Sequence, residues 1–166
     1  KGCGYLKPKK IISPESSADR IFNLAIENSE VFKDQNGECY IVFGNEVIYF
    51  NNTEIINSRL RNLYLTEYNK TVKSTEIKTA YEALMSCAEN CAEIVPVAVR
   101  VYRDKNTIYY DLCDNANTVV KCGINAHKVV TLNDKKFFFK REPTMKEQVI
   151  PNMKADIAKS INLLSH

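Results

Sequence analysis

The chain has 166 residues, of which 45% are hydrophobic and 26% charged, and its formal net charge is +3. This composition is ordinary for a soluble globular protein, and the length suits one domain that buries roughly two thirds of its unfolded surface. The absence of any run of ~18 apolar residues predicts no membrane span, and the small net charge does not by itself indicate a nucleic-acid binder.

The six cysteines do not predict a disulfide framework. A chain of this size with a normal core composition needs no covalent crosslinks, and no signal peptide is recognisable. We therefore expect free thiols that act as small hydrophobic residues in a reducing cytoplasm. Because the chain starts at Lys1 rather than Met, we also expect it to be a fragment of a longer protein.

The first third of the chain predicts a helix followed by a β-hairpin. Residues 1–12 contain four lysines and no acid, and we expect them to be a flexible basic lead. Ser13 and Pro14 are typical of a helix start, and apolar residues recur at helical spacing up to about Phe32. A turn at residues 34–37 and the pair Gly44-Asn45 delimit strands at residues 39–43 and 46–50.

The middle third predicts two short helices and two strands. The helices cover residues 58–68 and 75–87, and the second has one apolar face. That face consists of Ile77, Ala80, Tyr81, Leu84, Ala88 and Cys91. Apolar residues alternate through residues 97–102 and 108–112, which predicts half-buried strands with Val97, Val99 and Val101 on the core side.

Three further strands are predicted near residues 119–122, 128–132 and 136–140. From residue 143 the chain turns polar and contains two prolines, which is typical of a linker, and an amphipathic helix is predicted from Met153 to Leu164. The expected fold is therefore α+β. A single domain over residues 13–142 combines an N-terminal helix, a β-hairpin, a winged-helix-like helix pair and an antiparallel sheet.

The order helix, turn, helix, hairpin is that of a winged-helix-like nucleic-acid module. In that arrangement the N-terminal turn of the second helix faces DNA, and its backbone N–H groups suit a phosphate. The simpler alternative is a packed helical hairpin whose outer face is only solvated. Basic residues near 135–141 and an outward-facing Tyr109, which could stack on an unpaired base, extend the candidate surface. The expected contacts are Arg59, Arg61, Lys73, Thr75, Lys78, Tyr109, Lys135, Lys136, Lys140 and Arg141.

Metal binding and catalysis have little support in the sequence. Cys122 and His127 are five apart, with Cys113 upstream, but no CxxC pair occurs, so no zinc site is predicted. Asp111 and Asp114 are expected to point to different faces of a strand end. The GxSxG and GxxxxGK[ST] motifs are absent. We therefore expect no catalytic residue and no cofactor in this fragment.

Seven short segments resemble, in order, a region of phage and mobile-element replication proteins that precedes a P-loop helicase-type ATPase domain. They are ADRI from Ala18, EVFKDQNGE from Glu30, SRLRNL from Ser58, AYEAL from Ala80, VAVRV from Val97, IYYDL from Ile108 and FKREP from Phe139. They span about three quarters of the chain, which is richer in Asn and Lys than such regions and lacks their usual tryptophans.

The resemblance implies a non-enzymatic accessory domain of a replication helicase or primase that contacts DNA or neighbouring subunits. The ATPase domain of the same parent chain would be a further partner, and the parent could be an ATP-dependent helicase. Two alternatives stay open. One is a protein-interaction or homo-oligomerisation module that uses the terminal helix. The other is a small metal-dependent nuclease whose acids converge only in the fold.

Overall fold

The computed structural model describes residues 16–91, 93–124, 126–133, 136–142 and 144–151. The elements in chain order are α1 (Ser17–Asn28), β1 (Ser29–Lys33), β2 (Cys39–Phe43), β3 (Glu46–Tyr49), α2 (Thr53–Tyr68), α3 (Ser74–Glu89), β4 (Val97–Ala98), β5 (Val101–Asp104), β6 (Thr107–Asp111), β7 (Thr118–Cys122), β8 (His127–Thr131) and β9 (Phe138–Phe139). The predicted α+β class is confirmed.

The chain divides into two compact units. Of the described residues, the first unit contains those from 16 to 98 together with 136–140, and the second contains those from 99 to 133 together with those from 141 to 151. The sequence predicted a single domain over residues 13–142 and gave no sign of this division. The helix pair belongs to the first unit, and the β5–β6 hairpin that follows it in sequence belongs to the second.

Helix α1 starts at a capping box, in which the Asp19 N–H donates to Ser16 Oγ and the Ser16 N–H donates to Asp19 Oδ2. The predicted start at Ser13 lies outside the described residues. The prediction that the helix continues to about Phe32 was wrong, since α1 ends at Asn28 and β1 follows at once. Val31 and Phe32 pair with residues of β2, and this non-local pairing outweighs their helical spacing.

Strands β1, β2 and β3 form an antiparallel sheet in chain order. The predicted turn at 34–37 is confirmed. There the buried Asp34 carboxylate accepts the backbone N–H groups of Asn36 and Glu38 at 2.8 and 2.9 Å, and Gly37 has φ +82°. The predicted hairpin at Gly44 is also confirmed, because Gly44 adopts φ +62° between β2 and β3.

Both helices of the predicted pair are present and longer than expected, and α2 starts five residues earlier than residue 58. Asn69, at φ 50°, ends α2 and donates its backbone N–H to the Leu65 carbonyl. The predicted apolar face of α3 is buried except for the half-buried Tyr81. The core of the first unit joins α1, α2, α3 and the sheet. Its fully buried members include Ile21, Ile41, Ile56, Leu60, Ile77 and Leu84.

The predicted strand at 97–102 and the predicted strand at 136–140 both need correction. The first is interrupted at residues 99–100, so that β4 and β5 are separate and fall in different units. Residues 136–140 contribute only the two-residue β9, which pairs with β4 in parallel rather than antiparallel fashion. Val99 and Val101 were predicted to face the core, but they are 54% and 53% exposed.

The second unit contains a four-stranded antiparallel sheet in the order β5-β6-β7-β8. Strands β6, β7 and β8 match the predicted segments to within about one residue, although Ile108, expected on the buried side, is exposed. The cysteines of the described segments are all free; Cys39 and Cys91 are buried, and Cys87, Cys113 and Cys122 are partly buried. Among the described helices, none has the length and apolar character needed to cross a membrane. The predicted helix at 153–164 lies outside the described residues.

Candidate nucleic-acid interface

The turns of the second unit fix the register of its sheet. Lys105, at φ 51°, turns β5 into β6. Asp114 shapes the connection from β6 to β7, where its Oδ1 accepts the Thr118 N–H at 2.7 Å. Burial acts to raise the pKa of Asp114, but the hydrogen bonds from Thr118 and the positive charge of Arg141 outweigh it, so the pKa is lowered. The Gly123 N–H closes the β7–β8 turn on the Ala126 carbonyl at 2.7 Å.

A buried ion pair holds the end of β6. Asp111 is fully buried, and Arg141 reaches it through Nε at 2.8 Å and Nη2 at 2.5 Å, which is a bidentate arrangement. The same guanidinium donates to the Asp114 carbonyl at 2.6 Å and to Asn117 Oδ1 at 3.2 Å. The Cys113 thiol donates to Asp111 Oδ2 at 3.3 Å, and burial together with this bond raises the pKa of Cys113. Arg141, predicted to contact nucleic acid, is thus engaged inside the second unit.

One cross-strand row of the sheet combines two tyrosines with two lysines. The register pairs Tyr102 with Tyr109, Tyr109 with Lys121, and Lys121 with Lys128. Residues paired directly across antiparallel strands project from the same face, so these four side chains share one face. We call this set the Tyr-Lys row. It crosses all four strands, from β5 to β8.

The contacts within the Tyr-Lys row place its charge beside its rings. The ring centroids of Tyr102 and Tyr109 are 6.4 Å apart, and the Lys121 ammonium lies 5.3 Å from the Tyr109 ring centroid. Both tyrosines are half-buried, and Lys128 is exposed. Burial, followed by the charge of Asp104 and by Tyr109, raises the pKa of Tyr102, so its hydroxyl stays protonated at neutral pH. Two aromatic rings beside two cations can bind a planar base and a phosphate.

Charge is uneven along this face. Asp104 lies two residues beyond Tyr102 on β5, therefore on the same face, and it is exposed. Its carboxylate opposes an anion at the β5 side of the row, whereas Lys121 and Lys128 attract one at the β7–β8 side. Asp111, also on this face, is neutralised by Arg141.

The opposite face of the sheet is more apolar. Val101 and Ile108 are exposed there, and Tyr110 is half-buried with the Arg100 guanidinium 5.9 Å from its ring centroid. Tyr109 and Tyr110 are therefore adjacent tyrosines of one strand on opposite faces, and only Tyr109 belongs to the Tyr-Lys row.

The candidates predicted on the helix pair lie in the first unit, and all are exposed. Arg59 forms an ion pair with Glu46, and Lys78 lies 3.8 Å from Glu82. Arg61 Nη2 donates to Ser74 Oγ at 3.2 Å, which places it beside the N-terminus of α3. Lys73 and Thr75 flank Ser74 at this N-terminus, so three of the predicted residues gather there. Arg59 and Lys78 are each engaged with an acid nearby.

The remaining predicted basic residues are those of the run from 135 to 141. Lys135 lies outside the described residues. Lys136 is exposed, and Lys140 is half-buried with its ammonium 5.0 Å from the Tyr49 ring centroid. Lys140 and Arg141, adjacent in sequence, are thus each engaged with another side chain of their own unit.

The residues considered for metal binding and catalysis occupy ordinary structural positions. Cys122 and His127 are register partners at the ends of β7 and β8. Within the described part of the chain, no group of three or more His, Cys, Asp or Glu side chains is arranged to hold a metal ion. Asp111 and Asp114 are both bonded to Arg141, one through its carboxylate and the other through its carbonyl.

Sequence reasoning identified Tyr109 but missed its neighbour Lys121 and the next residue of the row, Lys128. The signal was present in the lengths of the turns, since pairing Lys121 with Lys128 requires the β7–β8 connection to close between Cys122 and His127.

No family model, no curated protein and no solved structure matches this chain.

Proposed function

We propose that this chain is a non-enzymatic accessory domain of a phage or mobile-element replication helicase or primase, and that it contacts DNA. The observation that carries the DNA contact is the Tyr-Lys row on the sheet of the second unit. The replication context rests on the resemblance of its segments. In this proposal the protein acts in the cytoplasm beside the ATPase domain of its parent chain, without a cofactor of its own.

Two physical arguments support the DNA contact. Lysine ammonium groups that neutralise phosphates release counterions, which supplies sequence-independent affinity. Aromatic rings beside those charges add attraction for bases of any sequence, because every base has a π face. The row offers both on one face, while the exposed Asp104 confines phosphates to the side of Lys121 and Lys128.

The test is a fluorescence anisotropy titration of the full chain with labelled single- and double-stranded DNA at 50 and 200 mM salt. We expect binding that weakens with salt. The double variant Lys121→Ala/Lys128→Ala should weaken it further and reduce the slope of log K against log salt by about 1.4 for a single strand. Absence of binding to either DNA at 50 mM salt would contradict the proposal.

A matched variant separates the two candidate surfaces. Lys73→Ala/Lys78→Ala removes the same charge from the first unit, near the N-terminus of α3. If the sheet is the interface, this variant changes the salt slope much less than Lys121→Ala/Lys128→Ala does. A larger effect of the α3 pair would instead favour the helix-turn-helix interpretation.

The second candidate function is a protein-interaction or oligomerisation module that contacts neighbouring subunits. The exposed Val101 and Ile108 on the opposite face of the same sheet favour it, since exposed apolar side chains that lie together mark interaction surfaces. Light scattering tests this version: a concentration-dependent dimer that Ile108→Lys abolishes would support it, and a monomer at all concentrations would oppose self-association.

A further inference from the structure

The Tyr-Lys row carries an inference about the class of nucleic acid. We infer that it binds unpaired bases of a single strand, with Tyr109 as the stacking residue and with the phosphates over Lys121 and Lys128. This deepens the proposed function and rests on it. The sequence pointed to Tyr109 alone, whereas the register adds a second ring and two cations on the same face.

The dimensions of the row argue against duplex DNA. Neighbouring strands lie ~4.8 Å apart, so the four residues of the row extend over about 14 Å across the sheet. The major groove of B-DNA is about 12 Å wide and admits a helix or a two-stranded ribbon rather than the face of a four-stranded sheet. Ring faces also need base faces, which are stacked against each other inside a duplex and are accessible in a single strand.

The position of the charges orients the strand. The Lys121 ammonium lies over the Tyr109 ring, 5.3 Å from its centroid, so a base that stacks on this face displaces the ammonium, which can then reach the phosphate of that base. Lys128, next in the row, takes the following phosphate. Asp104 repels phosphate at the other end, so the bases lie over β5 and β6 and the backbone over β7 and β8.

Adjacent tyrosines of β6 provide the matched comparison. Tyr109→Ala removes the stacking ring, and Tyr110→Ala removes the neighbouring ring on the opposite face. We expect Tyr109→Ala to weaken binding of a deoxythymidine oligomer of about 12 nucleotides by roughly 5- to 150-fold, the range measured for base stacking on aromatic side chains. The affinity of Tyr110→Ala should stay within about twofold of that of the unaltered protein, because this ring lies on the opposite face. The affinity of the conservative Tyr109→Phe should also stay within about twofold, because phenylalanine also stacks.

Photocrosslinking of the unaltered protein tests the same inference without requiring that any variant folds. A deoxythymidine oligomer that carries 5-iododeoxyuridine is irradiated on the protein, and the crosslinked residue is identified by mass spectrometry. Crosslinks at Tyr109 or Tyr102 support the inference, and crosslinks confined to the first unit overturn it. A 5-methyluridine oligomer, which carries the same base on ribose, assigns the preferred sugar in a parallel titration, since the stacking chemistry is shared by DNA and RNA.

The outcomes separate this inference from the proposed function. If DNA binds but a duplex of equal length competes as well as the single strand, and Tyr109→Ala binds normally, the inference fails while the DNA-contacting function stands. If neither DNA form binds at low salt, the proposed function fails and the inference fails with it.

Discussion

Removal of Arg141 should destabilise the second unit strongly, because Asp111 would remain buried without its partner. Asp111 has no exposed surface, and the Arg141 side chain is 26% exposed. Breaking a buried ion pair from one side costs about 3–5 kcal/mol. Solvent reaches part of the guanidinium, so we expect Arg141→Met to lower the free energy of unfolding by about 3 kcal/mol, the lower end of that range. This is a large fraction of the 5–15 kcal/mol typical of a folded protein.

A double-mutant cycle separates the cost of a buried, unpaired Asp111 from the cost of simply losing the contacts of Arg141. Asp111→Asn/Arg141→Met has no buried charge, and we expect it to recover at least half of the stability lost in Arg141→Met. Arg141→Lys keeps the charge but loses the bidentate geometry, so its stability should lie between those of Arg141→Met and the unaltered protein.

Urea titration measures these free energies, with circular dichroism as the signal. Tyrosine fluorescence can replace circular dichroism, because the chain has no tryptophan to mask it. Amide hydrogen exchange on β6 and β7 then locates the loss in the second unit. A loss below ~1 kcal/mol in Arg141→Met would refute the reasoning. A double variant no more stable than Arg141→Met would also refute it, because the cost would then not come from an uncompensated Asp111.

Three further predictions concern binding, packing and pH. Asp104→Asn should strengthen binding of single-stranded DNA about two- to threefold at low salt, since an exposed charge close to a phosphate acts through a high dielectric; weaker binding in anisotropy would contradict the proposed phosphate path. Leu60→Ala, at a fully buried site, should cost about 2–5 kcal/mol in urea titrations, whereas Leu65→Ala on the exposed face of the same helix should cost under ~0.5 kcal/mol. Burial, and then the hydrogen bond to Glu38, raises the pKa of Tyr40, so the folded state keeps this proton at a pH where the unfolded chain loses it. In the same titrations, the free energy of unfolding should therefore be constant with respect to this group below pH ~10 and should decrease above it. This decrease should be smaller in Tyr40→Phe, which has no hydroxyl to ionise.

The elements that the sequence predicted well are those set by local rules. The helical spacing of Ile77, Ala80 and Leu84 located α3, and its buried face follows that spacing. Gly44-Asn45 located the β2–β3 hairpin, because the turn needs a backbone position with positive φ, here +62°, and glycine adopts this conformation readily.

The elements that the sequence predicted poorly depend on distant partners. The end of α1 is decided by the pairing of Val31 with Ile41, and the end of the strand at Ala98 by pairing with Phe139, 41 residues further along the chain. Alternation through Val97, Val99 and Val101 resembles a single half-buried strand, yet the chain passes from one unit to the other within it. Periodicity reports the faces of a strand but not the partner that the strand will find.

The same distinction explains which basic residues became candidates. Counting charges along the chain favoured the run from Lys135 to Arg141. In the fold, however, Arg141 neutralises Asp111 and Lys140 lies over the Tyr49 ring. Lys121 and Lys128 are seven residues apart in sequence and are brought side by side by the β7–β8 register. Two such charges next to one another act on the same short stretch of phosphates, which isolated lysines cannot do. If the chain binds DNA, the pair made by the register should therefore determine its salt dependence more than the run made by the sequence.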